Sequence, residues 1–109
     1  MKKLRTVIIG LGKMGKIRYN AMQRHGGYQI VGLCDTDPDS LAGYAEPAFT
    51  DWKTCIRRCR PQAVVVCTFN RMIPDIVCYA LKEQIHVFSE KPPGRCLDDV
   101  IRMRDASLR

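Results

Sequence analysis

Three glycines, Gly10, Gly12 and Gly15, sit where an apolar run gives way to a helical pattern, and Asp35 follows 20 residues after the last of them. Thr6-Val7-Ile8-Ile9 before them reads as a buried parallel strand. After them, Met14, Ile17, Ala21 and Met22 recur at helical spacing, which predicts a helix. Each glycine in such a turn has its own task. Gly10 permits the tight turn, Gly12 lets a phosphate approach the backbone, and Gly15 lets the helix pack close to the strand. The N–H groups of the Gly10–Gly15 loop, those of Lys13 and Met14 included, then face an anion at the positive end of the helix. A second strand, Tyr28-Gln29-Ile30-Val31-Gly32-Leu33-Cys34, ends at Asp35. A carboxylate there can accept both ribose hydroxyls of an adenosine and repels a 2′-phosphate, so the pattern predicts a dinucleotide and favours NAD over NADP. A glycine turn without a ligand would not require the strand, the helix, the second strand and the acid together.

A chain of 109 residues with 46% hydrophobic residues is the size of one domain with its own core. Its net charge of +7 is unevenly placed. Lys2, Lys3, Arg5, Lys13, Lys16, Arg18 and Arg24 lie before residue 35 with no acid among them, and the remainder is neutral. That excess surrounds the proposed pyrophosphate loop and raises the local potential for an anion. Lys16, Arg18 and Arg24 are equally well explained as a solvated helix face. A basic chain also raises the possibility of a nucleic-acid binder, with Arg57-Arg58-Cys59-Arg60 as its basic run, but no nucleic-acid motif accompanies it.

The six cysteines make no CxxC and no metal-ligand spacing, so no metal site is expected. Cys34 and Cys67 close apolar strands, where a thiol acts as a small hydrophobe. Free thiols point to a reducing, cytoplasmic setting. The apolar stretch behind Lys2 and Lys3 is too short for a signal peptide, and no run is long enough to span a membrane.

Strand and helix signals alternate along the chain. Strand one is expected near Arg5–Gly10, a helix over Lys13–His25 stopped by Gly26-Gly27, and strand two up to Asp35. Asp37 or Asp39 can cap a short helix near Ser40–Ala45. A short third strand is expected near Pro47-Ala48-Phe49, and Thr50 or Asp51 can cap a helix carrying Trp52, Cys55, Ile56 and Cys59 that ends before Pro61. Gln62-Ala63-Val64-Val65-Val66-Cys67, apolar on both faces, predicts a central parallel strand. Pro74 suits the first turn of the next helix. Ile85-His86-Val87-Phe88 is a fifth strand, and Leu97, Val100, Ile101 and Arg104 mark a last helix. The fold class is therefore α/β: a Rossmann-type doubly wound parallel sheet over residues 1–109. Its strand ends bring together Gly10–Gly15, Asp35, Cys67-Thr68-Phe69-Asn70 and Ser89-Glu90-Lys91-Pro92-Pro93.

These four segments resemble the glucose-fructose oxidoreductase, inositol dehydrogenase and MocA-like family along essentially the whole chain. The resemblance rests on Gly10-Leu11-Gly12-Lys13-Met14-Gly15, Cys34-Asp35-Thr36-Asp37-Pro38, Val64-Val65-Val66-Cys67-Thr68-Phe69-Asn70 and His86-Val87-Phe88-Ser89-Glu90-Lys91-Pro92. It implies a nicotinamide cofactor and oxidation of a sugar or polyol hydroxyl, or reduction of the matching carbonyl. It implies that Thr68, Phe69 and Asn70, with Cys67, border the cofactor. It implies that Lys91 lies beside the nicotinamide and the reacting oxygen as the catalytic residue, with Glu90 orienting its ammonium. Phe69 stands where proline is usual, Ile73 where a histidine often follows, and Gly94-Arg95 replace the more usual small or apolar residues after the second proline. By the same resemblance, Lys91-Pro92 is a place for a cis peptide bond. Such family members carry a second, substrate-binding domain that these 109 residues do not contain. The chain is thus expected to bind dinucleotide weakly and turn nothing over. A nucleotide-binding module without turnover is the alternative. An apolar face around Phe69, Met72 and Pro93 would favour self-association.

Overall fold

The computed structural model describes residues 3–68 and 70–89. Five strands, β1 (Leu4–Ile9), β2 (Tyr28–Cys34), β3 (Ala48–Phe49), β4 (Ala63–Val66) and β5 (His86–Ser89), form one sheet in the order β3-β2-β1-β4-β5. Every pairing is parallel. The order reverses between β1 and β4, so the carboxyl ends of these two central strands flank the switch point. Three helices, α1 (Lys13–His25), α2 (Trp52–Cys59) and α3 (Ile73–Lys82), make the crossovers.

The caps explain where the helices begin and end. Asp51 accepts from the Thr54 N–H at 3.0 Å and starts α2. Gly26 ends α1 with φ +81, a left-handed conformation that glycine adopts without strain. Pro74 lies in the first turn of α3, as its missing N–H allows. The short helix anticipated over Ser40–Ala45 is instead a 3-10 turn at Pro38–Leu41, because Asp37 caps it through the Asp39 N–H and fixes its start earlier. Gly10 and Cys67 fall outside β1 and β4, and β5 extends one residue further, to Ser89. Gly10 leaves the strand because its φ of +98 turns the chain.

The two faces of the sheet are distinct. Val7, Ile9, Val64 and Val66 pack with Cys55 and Ile56 of α2 and Ile73, Ile76 and Ala80 of α3. Ile8, Leu33 and Val65 pack with Leu11 and Met22 on the α1 side. The buried face of α1 is narrower than its apolar spacing. Gly15 and Met22 are its buried residues, whereas Met14 is 37% and Ile17 48% exposed. Close contact at Gly15 fixes the rotation of the helix and turns Met14 and Ile17 outward. Phe88, 49% exposed, is the other large exposed hydrophobic among the described residues, and Met72 packs against the core. The apolar exposure in the described chain therefore lies on α1 and β5; Phe69 and Pro93 are outside the described residues.

The β1–β2 ladder shifts register between Thr6 and Val7, leaving Val31 without a partner on β1. The Cys59 thiol donates to the Val31 carbonyl at 3.4 Å. Gly32 makes room for this: a Cβ there would stand 2.5 Å from Cys59 Sγ and 3.4 Å from Cys55 Sγ.

Candidate functional site

The site begins with the glycine turn between β1 and α1. Gly10 N–H donates to the Cys34 carbonyl at 2.7 Å, and Cys67 N–H donates to the Ile9 carbonyl at 2.7 Å. The ends of β2, β1 and β4 are thereby drawn together. A Cβ on Gly10 would lie 2.6 Å from the carbonyl atoms of Cys67, so the β4 loop can cross the turn only if residue 10 is glycine. A Cβ on Gly15 would lie 1.8 Å from the Gly10 carbonyl oxygen. The third glycine thus packs α1 against the turn itself, not only against the strand.

Gly12 behaves differently. A Cβ there would meet nothing within 4 Å, and its φ of −72 is open to any residue. Sterics inside the fold therefore do not require glycine at this position. Gly12 is the N-cap of α1, no side chain caps the helix, and its first turn holds no acid. The first N–H groups of a helix have no partner within it, and the macrodipole makes them attractive to an anion. Open space, uncapped donors and no competing carboxylate fit a diphosphate at this point.

Asp35 stands across the turn. Its Oδ2 accepts from the Leu11 N–H at 2.7 Å and its Oδ1 from the Asp37 N–H at 2.9 Å. The carboxylate is thus held in place before any ribose arrives, with lone pairs left over. Leu11, fully buried on the α1 side, anchors the loop from below. Its only local signal in the sequence is an apolar residue set between the buried Gly10 and the exposed Gly12.

At the end of β4, Thr68 follows the half-buried Cys67, and its hydroxyl lies 3.8 Å from Met72 Sδ. Burial pushes the Cys67 thiol up, with Arg18 opposing the shift. The Arg18 guanidinium lies 5.1 Å from the Phe88 ring centroid, so of the four lysines and arginines of α1 Arg18 is the one drawn inward, while Lys13, Lys16 and Arg24 are exposed. Burial also pushes the Cys34 thiol up to about 12. Neither cysteine is a nucleophile in this setting. Gly10, Gly12, Lys13, Met14, Gly15, Asp35, Cys67, Thr68 and the backbone of Asn70 therefore lie on the carboxyl-end side of the sheet. Phe69, Glu90, Lys91 and the Lys91-Pro92 bond lie outside the described residues. A groove of about 300 Å³ lined by Met22, Tyr28, Val65 and Phe88 lies on the α1 side of β4 and β5, away from the glycine loop. Among the described residues no group of three His, Cys, Asp or Glu side chains could hold a metal ion, and no helix is long and apolar enough to cross a membrane.

Residues 4–107 match the model of an oxidoreductase family with an NAD-binding Rossmann fold, the glucose-fructose oxidoreductase, inositol dehydrogenase and MocA group. Myo-inositol 2-dehydrogenase of Thermotoga maritima is 30% identical over 105 residues, covering 92% of this chain and 31% of that protein. "Glycosyl hydrolase family 109 protein 1" of Akkermansia muciniphila is 26% identical over 121 residues, covering 98% of this chain and 25% of its own. Among solved structures, the WlbA dehydrogenase of Bordetella pertussis in complex with NADH and UDP-GlcNAcA superposes with a TM-score of 0.90 at 27% identity, covering 97% of this chain and 34% of that one. The chain thus spans a quarter to a third of the length of these relatives.

Proposed function

Because the chain belongs to the glucose-fructose oxidoreductase, inositol dehydrogenase and MocA family, whose fold binds NAD, we propose that residues 1–109 are the dinucleotide-binding domain of an enzyme that transfers hydride to or from a sugar or polyol. The observation that carries this reading is the contrast among the three glycines. Gly10 and Gly15 are demanded by contacts within the fold, whereas Gly12 opens onto free space beside uncapped helix donors. A glycine that the fold does not need is explained by a ligand that does.

The bound nicotinamide would supply the hydride chemistry. The residues supply binding and proton handling. Gly12, Lys13 and Met14 N–H groups hold the pyrophosphate. Asp35, already oriented by Leu11 and Asp37, accepts the ribose hydroxyls. Cys67, Thr68, Phe69 and Asn70 border the cofactor. Lys91, assigned by the family resemblance, hydrogen-bonds the reacting oxygen and stabilises its developing charge, with Glu90 orienting the ammonium. NAD is preferred to NADP. A sugar-type substrate is supported by relatives named for inositol and for a UDP-sugar complex. Free thiols at Cys34, Cys55, Cys59 and Cys67 suit a cytoplasmic location.

The test is a fluorescence titration with NADH. Gly12→Val should weaken binding at least about tenfold without unfolding the chain; equal affinity in the variant would contradict the site. Mixed with NAD and myo-inositol, residues 1–109 alone should bind without forming NADH. Robust dehydrogenase activity from these residues would overturn that expectation.

The glycosyl hydrolase name of the Akkermansia relative favours a second reading, in which the same cofactor site serves glycosidic cleavage. Release of the aglycone from a nitrophenyl glycoside with no net NADH would support it.

A further inference from the structure

The turn that follows β2 is filled from within by its own carboxylates. Asp35 Oδ1 takes the Asp37 N–H at 2.9 Å, and Asp37 Oδ1 takes the Asp39 N–H at 3.1 Å. The Ser40 N–H goes to the Asp37 carbonyl at 3.1 Å, and the Ser40 hydroxyl lies 3.5 Å from Asp37 Oδ2. Pro38 has no N–H to offer. Residues 35–42 contain three aspartates and no lysine or arginine.

Asp35 Oδ1 holds the Asp37 N–H at 2.9 Å, so the 2′ position of a ribose accepted by Asp35 would stand beside this turn. A 2′-phosphate needs N–H donors or a cation there. The turn has already given its Asp37 and Asp39 donors to carboxylates, and it presents a second fixed negative charge. We propose that Asp37 is a specificity-determining residue, excluding 2′-phosphorylated dinucleotides together with Asp35. The inference rests on the NAD-binding reading above. This role needs no contact between Asp37 and NAD: its charge would repel the phosphate, and its Oδ1 withholds the Asp39 donor.

The consequence is that removing the ribose acid alone leaves much of the discrimination in place. The experiment is NADH and NADPH titration of the chain and of Asp35→Ser, Asp37→Ser and the double variant, each checked for folding by circular dichroism. Asp37→Ser should raise NADPH affinity about threefold or more while NADH affinity stays within about twofold. The double variant should raise the NADPH-to-NADH ratio about fivefold beyond Asp35→Ser alone. Added salt should narrow discrimination in the wild-type chain more than in the double variant, since the repulsion is screened. Asp37→Asn keeps the acceptor for the Asp39 N–H and removes only the charge, so it should show part of the NADPH gain even if serine disturbs the turn. A double variant no different from Asp35→Ser, or an Asp37→Asn with unchanged NADPH affinity and salt response, overturns the assignment. Gly12→Val reports separately on the parent reading. If it leaves NADH affinity unchanged, the dinucleotide does not sit at this site, and both readings fail together.

Discussion

The backbone N–H of Leu11 donates to Asp35 Oδ2 at 2.7 Å, joining the glycine loop to the end of β2 in one hydrogen-bonded unit. The carboxylate proposed to read the ribose is therefore also part of the scaffold. Asp35→Ala leaves the Leu11 and Asp37 N–H groups without their acceptor. It should cost about 1–2 kcal/mol in urea unfolding, with Asp35→Asn in between. An Asp35→Ala chain as stable as the wild type would show that the bond carries no weight.

The three glycines should separate by stability. Gly15→Ala forces a Cβ to within 1.8 Å of the Gly10 carbonyl oxygen and should cost about 3 kcal/mol or prevent folding. Gly12→Ala places its Cβ in open space and should leave the urea midpoint nearly unchanged while weakening NADH binding. Equal destabilisation by both would contradict the assignment of their roles.

Asp51 gives a pH-dependent prediction. Its Oδ2 accepts from Thr54 Oγ1 at 2.6 Å and from Thr54 N–H at 3.0 Å, and these bonds hold its carboxyl below the usual carboxylate range. The folded state thus prefers the ionised form. The stabilisation is fully present above the unfolded value of about 3.9 and is lost as pH falls through the lower, folded value. Asp51→Ala should cost about 1 kcal/mol at neutral pH. Its stability difference from the wild-type chain should shrink as pH drops below about 3.9. A difference constant down to strong acid would exclude a charged cap.

The buried thiols should be inert. Burial pushes Cys34 up to about 12 and raises Cys55 further. Iodoacetamide at pH 8 should leave both unlabelled in the native chain and label both in denaturant, as mass spectrometry of peptides can show. Rapid native labelling of Cys34 would mean that the β2 end opens.

Much of this architecture was legible because the sequence states it locally. The apolar runs around Ile8 and Val65, the caps at Asp51 and Gly26, and the Gly10–Gly15 spacing with Asp35 each report a backbone requirement. The rest depended on tertiary contact. Met14 and Ile17 follow helical spacing yet face out, because Gly15 against Gly10 sets the rotation of α1. Gly32 lies inside β2, and only the α2 sulfurs beside it show why it is needed. The pairing of Tyr19 with Glu46, 2.8 Å from hydroxyl to Oε2, joins α1 to the segment before β3, a contact that no local pattern signals. Asp35 was read for the ribose, but its bond to Leu11 spans 24 residues and needed the fold.

The central claim is that a dinucleotide seats its pyrophosphate on the N-terminus of α1 at Gly12. The most direct measurement is amide chemical-shift mapping of the ¹⁵N-labelled chain as NAD is added. The account predicts saturable shifts at Leu11, Gly12, Lys13, Met14 and Gly15, joined by Asp35, Thr36 and Thr68. Shifts confined to the far ends of α2 and α3, or none at saturating NAD, would contradict it.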